Sequence, residues 1–289
     1  MVGARVGVRL ELVRCWLWAA SAVAVAAPPE ATCADVMSQA RTPSTYASDL
    51  QAEVKAYITS AKYQNKINEL LGTRHVDWDH GRIGEISSAL RGLIDSSVHS
   101  ILDLGAGPGL ISRHAQQLAA RVHGSGGAVR VVGVELVAGW VRTAQEFAAS
   151  RPIAGTSFHF HLGDITNISL GHTFDVLYMA DSIEHVPTFR RPALWQTLMA
   201  HSHSSSRLYL HYPNLIKQME EQGVGVRGKP RREVRIQGGS GRRLAQHFEI
   251  PVELSVLVKQ AKCAGFTMTH SEDHGKGQSG YMSVYFTRQ

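Results

Sequence analysis

From residue 100 onward the hydrophobic pattern of the chain switches again and again between a two-residue and a 3.6-residue period. No other feature of the sequence limits the fold as strongly. The run SILDLG (100–105) alternates as a strand does, and GLISRHAQQLAARV (109–122) repeats as a helix does. VRVVGVEL (129–136) and AGWVRTAQEFAAS (138–150) repeat the pair. SFHFHLGDI, FDVLYMAD and RLYLHYPN read as three further strands, with the helix PALWQTLMAHS (192–202) before the last of them. A helix over 252–265 and the strands FTMTHSED and GYMSVYFTR complete the series. Strands separated by helices of 10–15 residues build parallel β-α-β units. The expected fold class is α/β, a Rossmann-like doubly wound sheet of seven mostly parallel strands with an N-terminal helical cap.

That cap is read at 46–94. Leu50, Val54, Tyr57, Ile58 and Ala61 have helical spacing, and Ile83, Ile86, Leu90 and Leu93 fall on one face of a second helix. Ahead of it, residues 28–45 are rich in Ala, Pro, Ser and Thr and read as a linker. Residues 1–27 have the layout of a targeting leader: Arg5, Arg9 and Arg14, then CWLWAASAVAVAA, then Pro28-Pro29. The apolar run is shorter than the ~20 residues that span a bilayer, so no membrane span is expected. A plastid, mitochondrial or endomembrane destination stays open, with a cytoplasmic one if the segment is not a leader. Cys15, Cys33 and Cys263 have no metal-ligand spacing and suggest no disulfide framework, so a reducing compartment is the simpler expectation.

Glycines 105, 107 and 109 stand where the first strand ends. Bare backbone there brings N–H groups close to a ligand at the carboxyl edge of the sheet. In the dinucleotide fingerprint the third glycine follows the second by three residues. Here Leu110 occupies that place, which argues against a nicotinamide-dependent dehydrogenase.

The run DLGAGPG resembles the first motif of the class I S-adenosylmethionine-dependent methyltransferases, an acidic residue followed by GxGxG. The resemblance covers roughly residues 95–289 and implies S-adenosyl-L-methionine as cofactor. It implies that Asp103, Gly105, Gly107 and Gly109 surround the amino-acid end of the cofactor and that Glu135, at the end of the second strand, takes the ribose hydroxyls. Asp164 would lie near the adenine amino group, with Ile165 over the ring. Asp181 opens DSIEHV, similar to a run found in many small-molecule members, and Asp181, Glu184 and His185 would lie beside the methyl group. Among catalytic candidates His185 is the preferred base, because imidazole titrates near neutrality; Glu184 and His211 accompany it. His211 and Tyr212 end strand five and would also face the acceptor, Tyr212 as a substrate-binding residue. From the cap, Tyr46, Tyr63, Trp78 and His80 would line the acceptor pocket.

The acceptor is expected to be a small, anionic metabolite methylated on oxygen, nitrogen or sulfur. The algal enzymes that S-methylate 4-methylthio-2-hydroxybutyrate on the way to dimethylsulfoniopropionate are one subfamily within that range. Alternatives are an O-methyltransferase of a hydroxylated compound, an RNA methyltransferase and a catalytically silent cofactor-binding fold. The amide-methylating signature NPPY or DPPY is missing, and strand four ends in ADSIEH instead. The loop 217–243 holds eight Lys/Arg against three Glu and reads as a lid able to clamp a carboxylate or phosphate. No aromatic residue interleaves those charges, which weighs against a nucleic-acid partner. HVDWDH (75–80) has no known ligand spacing, so no metal is expected. His159, His161, His201 and His203 read as surface residues.

Overall fold

A computed structural model of the chain describes residues 32–38, 81–214, 252–274 and 280–289. These lie in one compact unit, Thr32–Gln289. In chain order the principal elements are α1 (Cys33–Ser38), α2 (Gly81–Leu93), β1 (Ser100–Leu104), α3 (Leu110–His123), β2 (Val129–Glu135), α4 (Ala138–Ser150) and β3 (Thr156–Leu162). They continue with β4 (Phe174–Ala180), α5 (Arg191–Ala200), β5 (Ser202–Pro213), α6 (Leu254–Cys263), β6 (Phe266–Asp273) and β7 (Tyr281–Arg288). The seven strands form one sheet in the order β3-β2-β1-β4-β5-β7-β6. β1 to β5 pair in parallel, and β7 runs antiparallel to both β5 and β6. The expected doubly wound sheet is therefore present, with its reversed strand next to one edge.

Two-residue alternation assigns the core to the two faces of this sheet. On one face Leu102, Leu104, Val132, Val134 and Leu210 pack with Trp195 and Leu198 of α5 and Leu257 of α6. On the other face Ile101, Val131, Val176, Tyr178 and Tyr209 pack with Ile86, Leu90 and Leu93 of α2 and Leu118 of α3. Central strands covered on both sides are the physical reason that β1, β2 and β4 read as nearly unbroken apolar runs. β3 lies at the edge and buries only Phe160. Strand order reverses between β1 and β4, which opens a crevice at their carboxyl ends.

Three expectations change. β5 begins at Ser202, before the apolar run that marks it, because Phe174 pairs with Ser202 ahead of a register shift. His201 is buried rather than superficial: its Nε2 accepts the Leu170 N–H at 2.9 Å and its Nδ1 contacts the Thr197 carbonyl at 2.8 Å. Cys33 and Cys263, 230 positions apart, form a disulfide. No spacing rule reveals that pairing, since the fold brings the two together. Cys33 opens α1, a short helix inside the segment read as a linker, where Thr32 and Asp35 bond each other as a reciprocal cap. The leader 1–27, the first cap helix and the loop 217–243 lie outside the described residues. No described helix is long and apolar enough to cross a membrane.

Candidate active site

The glycine turn that follows β1 is held by backbone. Gly105 and Ala106 both donate to the Val134 carbonyl of β2, at 2.9 and 3.0 Å, and the Ser182 hydroxyl donates to the Leu104 carbonyl at 2.8 Å. The backbone at Gly105 is left-handed, and a methyl group there would stand 2.4 Å from the Ser182 Cβ. Gly109, with φ +86°, caps α3, and a methyl group there would meet the Phe160 ring at 2.6 Å. Gly107 is different. Among the described residues a Cβ at this position would meet only the edge of the Trp140 ring, at 3.8 Å, so its face is open there.

Glu135, at the tip of β2, lies beside that opening. Its Oε2 accepts the Gly107 N–H at 2.8 Å and its Oε1 the Val137 N–H at 3.0 Å. Burial pushes its carboxyl up, and these N–H groups work against the rise. A carboxylate has about four acceptor sites, more than these N–H groups use, which suits a pair of hydroxyl donors. An open glycine turn beside a carboxylate with spare acceptor capacity fits the adenosyl half of S-adenosylmethionine.

Asp103 stands behind the turn at 1% exposure. Its Oδ2 accepts hydroxyls from Ser112 of α3, at 2.5 Å, and Tyr178 of β4, at 2.8 Å. Burial pushes this carboxyl up to about 7; the two hydroxyls oppose that, and the charge of Glu135 adds to it. Asp164 turns the chain after β3: its Oδ1 accepts the Thr166 N–H and hydroxyl, and its Oδ2 pairs with Arg190 at 2.7 Å. Ile165 follows, partly buried against the larger core. The structure thus brings Gly105, Gly107, Gly109 and Glu135 to one edge and gives Asp103 and Asp164 extensive protein partners there.

The end of β4 carries the acidic residues that the sequence singles out. Asp181 is the only described residue other than glycine with positive φ, +54°. Its Oδ1 lies 3.1 Å from Nδ1 of His211, and its Oδ2 lies 2.8 Å from Nη1 of Arg82 in the first turn of α2. Glu184 is buried, while His185 is one-third exposed with its Nε2 3.9 Å from the Glu184 carboxylate. His211 is completely buried and engages carboxylates from both ring nitrogens, the second being Glu85 of α2, at 3.2 Å. Burial alone would lower its pKa, but the hydrogen bonds to Asp181 and Glu85 prevail and raise it. Tyr212 points to the opposite face, where its buried hydroxyl has no hydrogen bond among the described residues. Burial and the Glu184 charge keep that phenol neutral against the pull of Arg191.

Sequence reasoning passed over Arg82, Glu85, Trp140 and Tyr281. Arg82 and Glu85 stand three apart on the helix read only for its apolar face, and that spacing was the available signal. Tyr281 opens β7; its ring stacks on His211 at 4.8 Å and its hydroxyl receives Arg82 Nη1 at 3.2 Å. The pocket candidates Tyr46, Tyr63, Trp78 and His80 lie outside the described residues. Among the described residues no cluster of three or more His, Cys, Asp or Glu is placed to hold a metal.

A family model described as a methyltransferase domain matches residues 101–203. No curated protein matches the sequence. Among solved structures, magnesium protoporphyrin IX methyltransferase of Synechocystis PCC 6803, with bound S-adenosylhomocysteine, aligns with a TM-score of 0.55 at 17% identity, over 83% of this chain and 100% of its own. An S-adenosylmethionine-dependent methyltransferase of Clostridium acetobutylicum gives 0.55 at 14%, over 78% and 98%. The glycopeptide N-methyltransferase MtfA, complexed with S-adenosylmethionine, gives 0.54 at 16%, over 74% and 90%. At such identities the structures speak for the fold, while the family match over 101–203 covers the glycine turn, Glu135, Asp164 and the DSIEHV segment. Residues 101–203 match a methyltransferase domain, and they lie on a fold that the chain shares with S-adenosylmethionine-dependent methyltransferases.

Proposed function

We propose that the enzyme methylates a small, anionic metabolite docked at the carboxyl ends of β4, β5 and the start of β7. The observation behind this reading is Arg82. Its side chain is 46% exposed, and its contacts to Asp181 and Tyr281 both use Nη1. Among the described residues Nη2 and Nε are left to meet a carboxylate or phosphate, the anions that a planar guanidinium holds best. The basic segment 217–243 supports the same reading through its composition.

The bound cofactor supplies an electrophilic methyl group on a sulfonium. The chain's part is to hold the two substrates in line and exclude water. Glu135 and the backbone of the glycine turn bind the cofactor. Arg82 orients the acceptor by its charge. Where the acceptor is a hydroxyl, His185 is the base in reach of solvent. His211 is poorly suited to that task, since both its nitrogens are engaged.

Label transfer from methyl-tritiated S-adenosylmethionine tests the acceptor class. The full chain is incubated separately with small carboxylates, including 4-methylthio-2-hydroxybutyrate, with hydroxylated aromatics, and with total RNA. Label in the carboxylates, weakened tenfold or more by Arg82→Gln, is the expected result. Label confined to RNA or to uncharged phenols overturns it.

The disulfide bears on location. A Cys33–Cys263 bond, exposed at Cys33, suits an oxidising compartment better than the reducing one first expected. We propose an endomembrane or secretory setting, checked by fractionating a tagged full-length chain.

A further inference from the structure

The buried imidazole of His211 lies between two carboxylates that come from different parts of the fold. Asp181 belongs to the segment that leaves β4, and Glu85 belongs to α2, 126 positions before His211. Ionised carboxylates only accept hydrogen bonds, so an imidazole bonded to both must donate from both nitrogens and carry a positive charge. With Arg82 on the second oxygen of Asp181, the four groups sum to zero: two cations and two anions. A neutral imidazole would leave a net negative charge at a fully buried ring and turn a lone pair toward a carboxylate.

The other groups around the ring agree with this assignment. Tyr281 of β7 stacks on it nearly parallel, an arrangement that favours a cation over an aromatic face. Tyr209, on β5 with His211, donates or accepts at Ser283 rather than at the imidazole. His274, after β6, contacts Ser283 at 2.8 Å and lies 3.9 Å from the far oxygen of Glu85. Burial raises the Tyr209 and Tyr281 phenols, so both remain neutral where the imidazole is charged.

Asp181 is the residue with something to gain from this arrangement. An aspartate with φ +54° adopts a backbone that L-residues visit at a cost, and it does so at the tip of a strand beside the glycine turn. Both of its carboxylate oxygens are tethered, one through His211 to α2 and one directly to Arg82. We propose that Glu85 and His211 are positioning residues of the acceptor site: the imidazolium clamped between two carboxylates fixes Asp181, and with it Arg82, at the edge where the acceptor docks. This rests on the docking edge proposed above. Neither Glu85 nor His211 reaches the acceptor; each acts through Asp181.

The test has one arm that needs no acceptor. In uniformly 15N-labelled protein, His211 shows two protonated-type ring nitrogens at pH 8. In Glu85→Gln, which keeps shape and removes charge, the ring becomes neutral at that pH, and the amide signals of Asp181 and Ser182 move. Glu85→Asp, which keeps the charge, restores the protonated ring in part. A neutral His211 in the wild type, or unmoved Asp181 and Ser182 signals in Glu85→Gln, overturns the proposal. The second arm uses whichever acceptor takes label: Glu85→Gln raises its KM tenfold or more while S-adenosylmethionine affinity changes less than twofold. Equal loss of both means that the residue merely supports the fold. A wild-type chain that transfers no label defeats the docking reading instead, and the resonance arm still decides the clamp.

Discussion

His211 Nδ1 lies 3.1 Å from Asp181 Oδ1 across the tips of β5 and β4, and the Asp181 N–H donates to the His211 carbonyl at 2.9 Å. Backbone and side chain therefore join the same two residues at the edge of the site. The folded-state pKa of this histidine is raised. A raised imidazole contributes stability that is complete below the unfolded value of about 6.5 and is lost as pH rises through the folded value. Urea unfolding at pH 6 and pH 9 is expected to show wild-type stability falling toward the alkaline end, with a shallower fall in His211→Asn. Parallel profiles for the two proteins would contradict the assignment.

Asp103 adds to the same trend through different chemistry. Its carboxyl is raised to about 7 by burial, so the folded protein holds a proton there that the unfolded chain releases near pH 4. Stability from this group is present at low pH and lost between about 4 and 7. Three units amount to on the order of 4 kcal/mol as an upper bound. Asp103→Asn, which still accepts from Ser112 and Tyr178, should gain on the wild type by a few kcal/mol between pH 5 and pH 8. A gain that does not change with pH would show that the carboxyl is ionised throughout.

The glycines separate packing from binding. Gly109→Ala forces a methyl group against the Phe160 ring at positive φ and should cost about 2–4 kcal/mol. Gly107→Ala meets no atom of the described residues closer than 3.8 Å, so the fold should lose only about 1 kcal/mol, the cost of a side chain at positive φ. The same methyl fills the open face of the turn, and S-adenosylmethionine affinity should fall at least tenfold. Thermal unfolding and calorimetric titration on both variants check the contrast.

Reduction probes the Cys33–Cys263 bond, which closes almost the whole described domain into a loop. Cys33→Ser should cost about 2–5 kcal/mol, and added reductant should lower the wild-type melting temperature while leaving the variant unmoved. The bond lies at α1 and α6, away from the glycine turn, so cofactor affinity should be unchanged.

The sheet and the glycine turn were legible because each depends on local pattern. β2 declares itself by a short β-branched apolar run, and Gly105 to Gly109 by their place behind β1. Glu135 is found by counting to the end of the second strand. What escaped depends on chain segments that meet only in the fold. Glu85 and Tyr281 converge on His211 from either end of the domain, and no window of sequence contains them together. Cys33 and Cys263 are missed for the same reason. His201 was misjudged because a histidine at a helix end looks superficial until the segment at Leu170 folds over it.

Cofactor binding tests the central claim most directly. S-adenosylmethionine is titrated calorimetrically into the full-length protein and into Glu135→Ala. The wild type is expected to bind with a Kd on the order of micromolar, about −8 kcal/mol, and the variant at least tenfold more weakly, with its fold intact by circular dichroism. Absence of binding in the wild type, or equal binding in both proteins, would contradict the assignment of Glu135 and the glycine turn as the cofactor site.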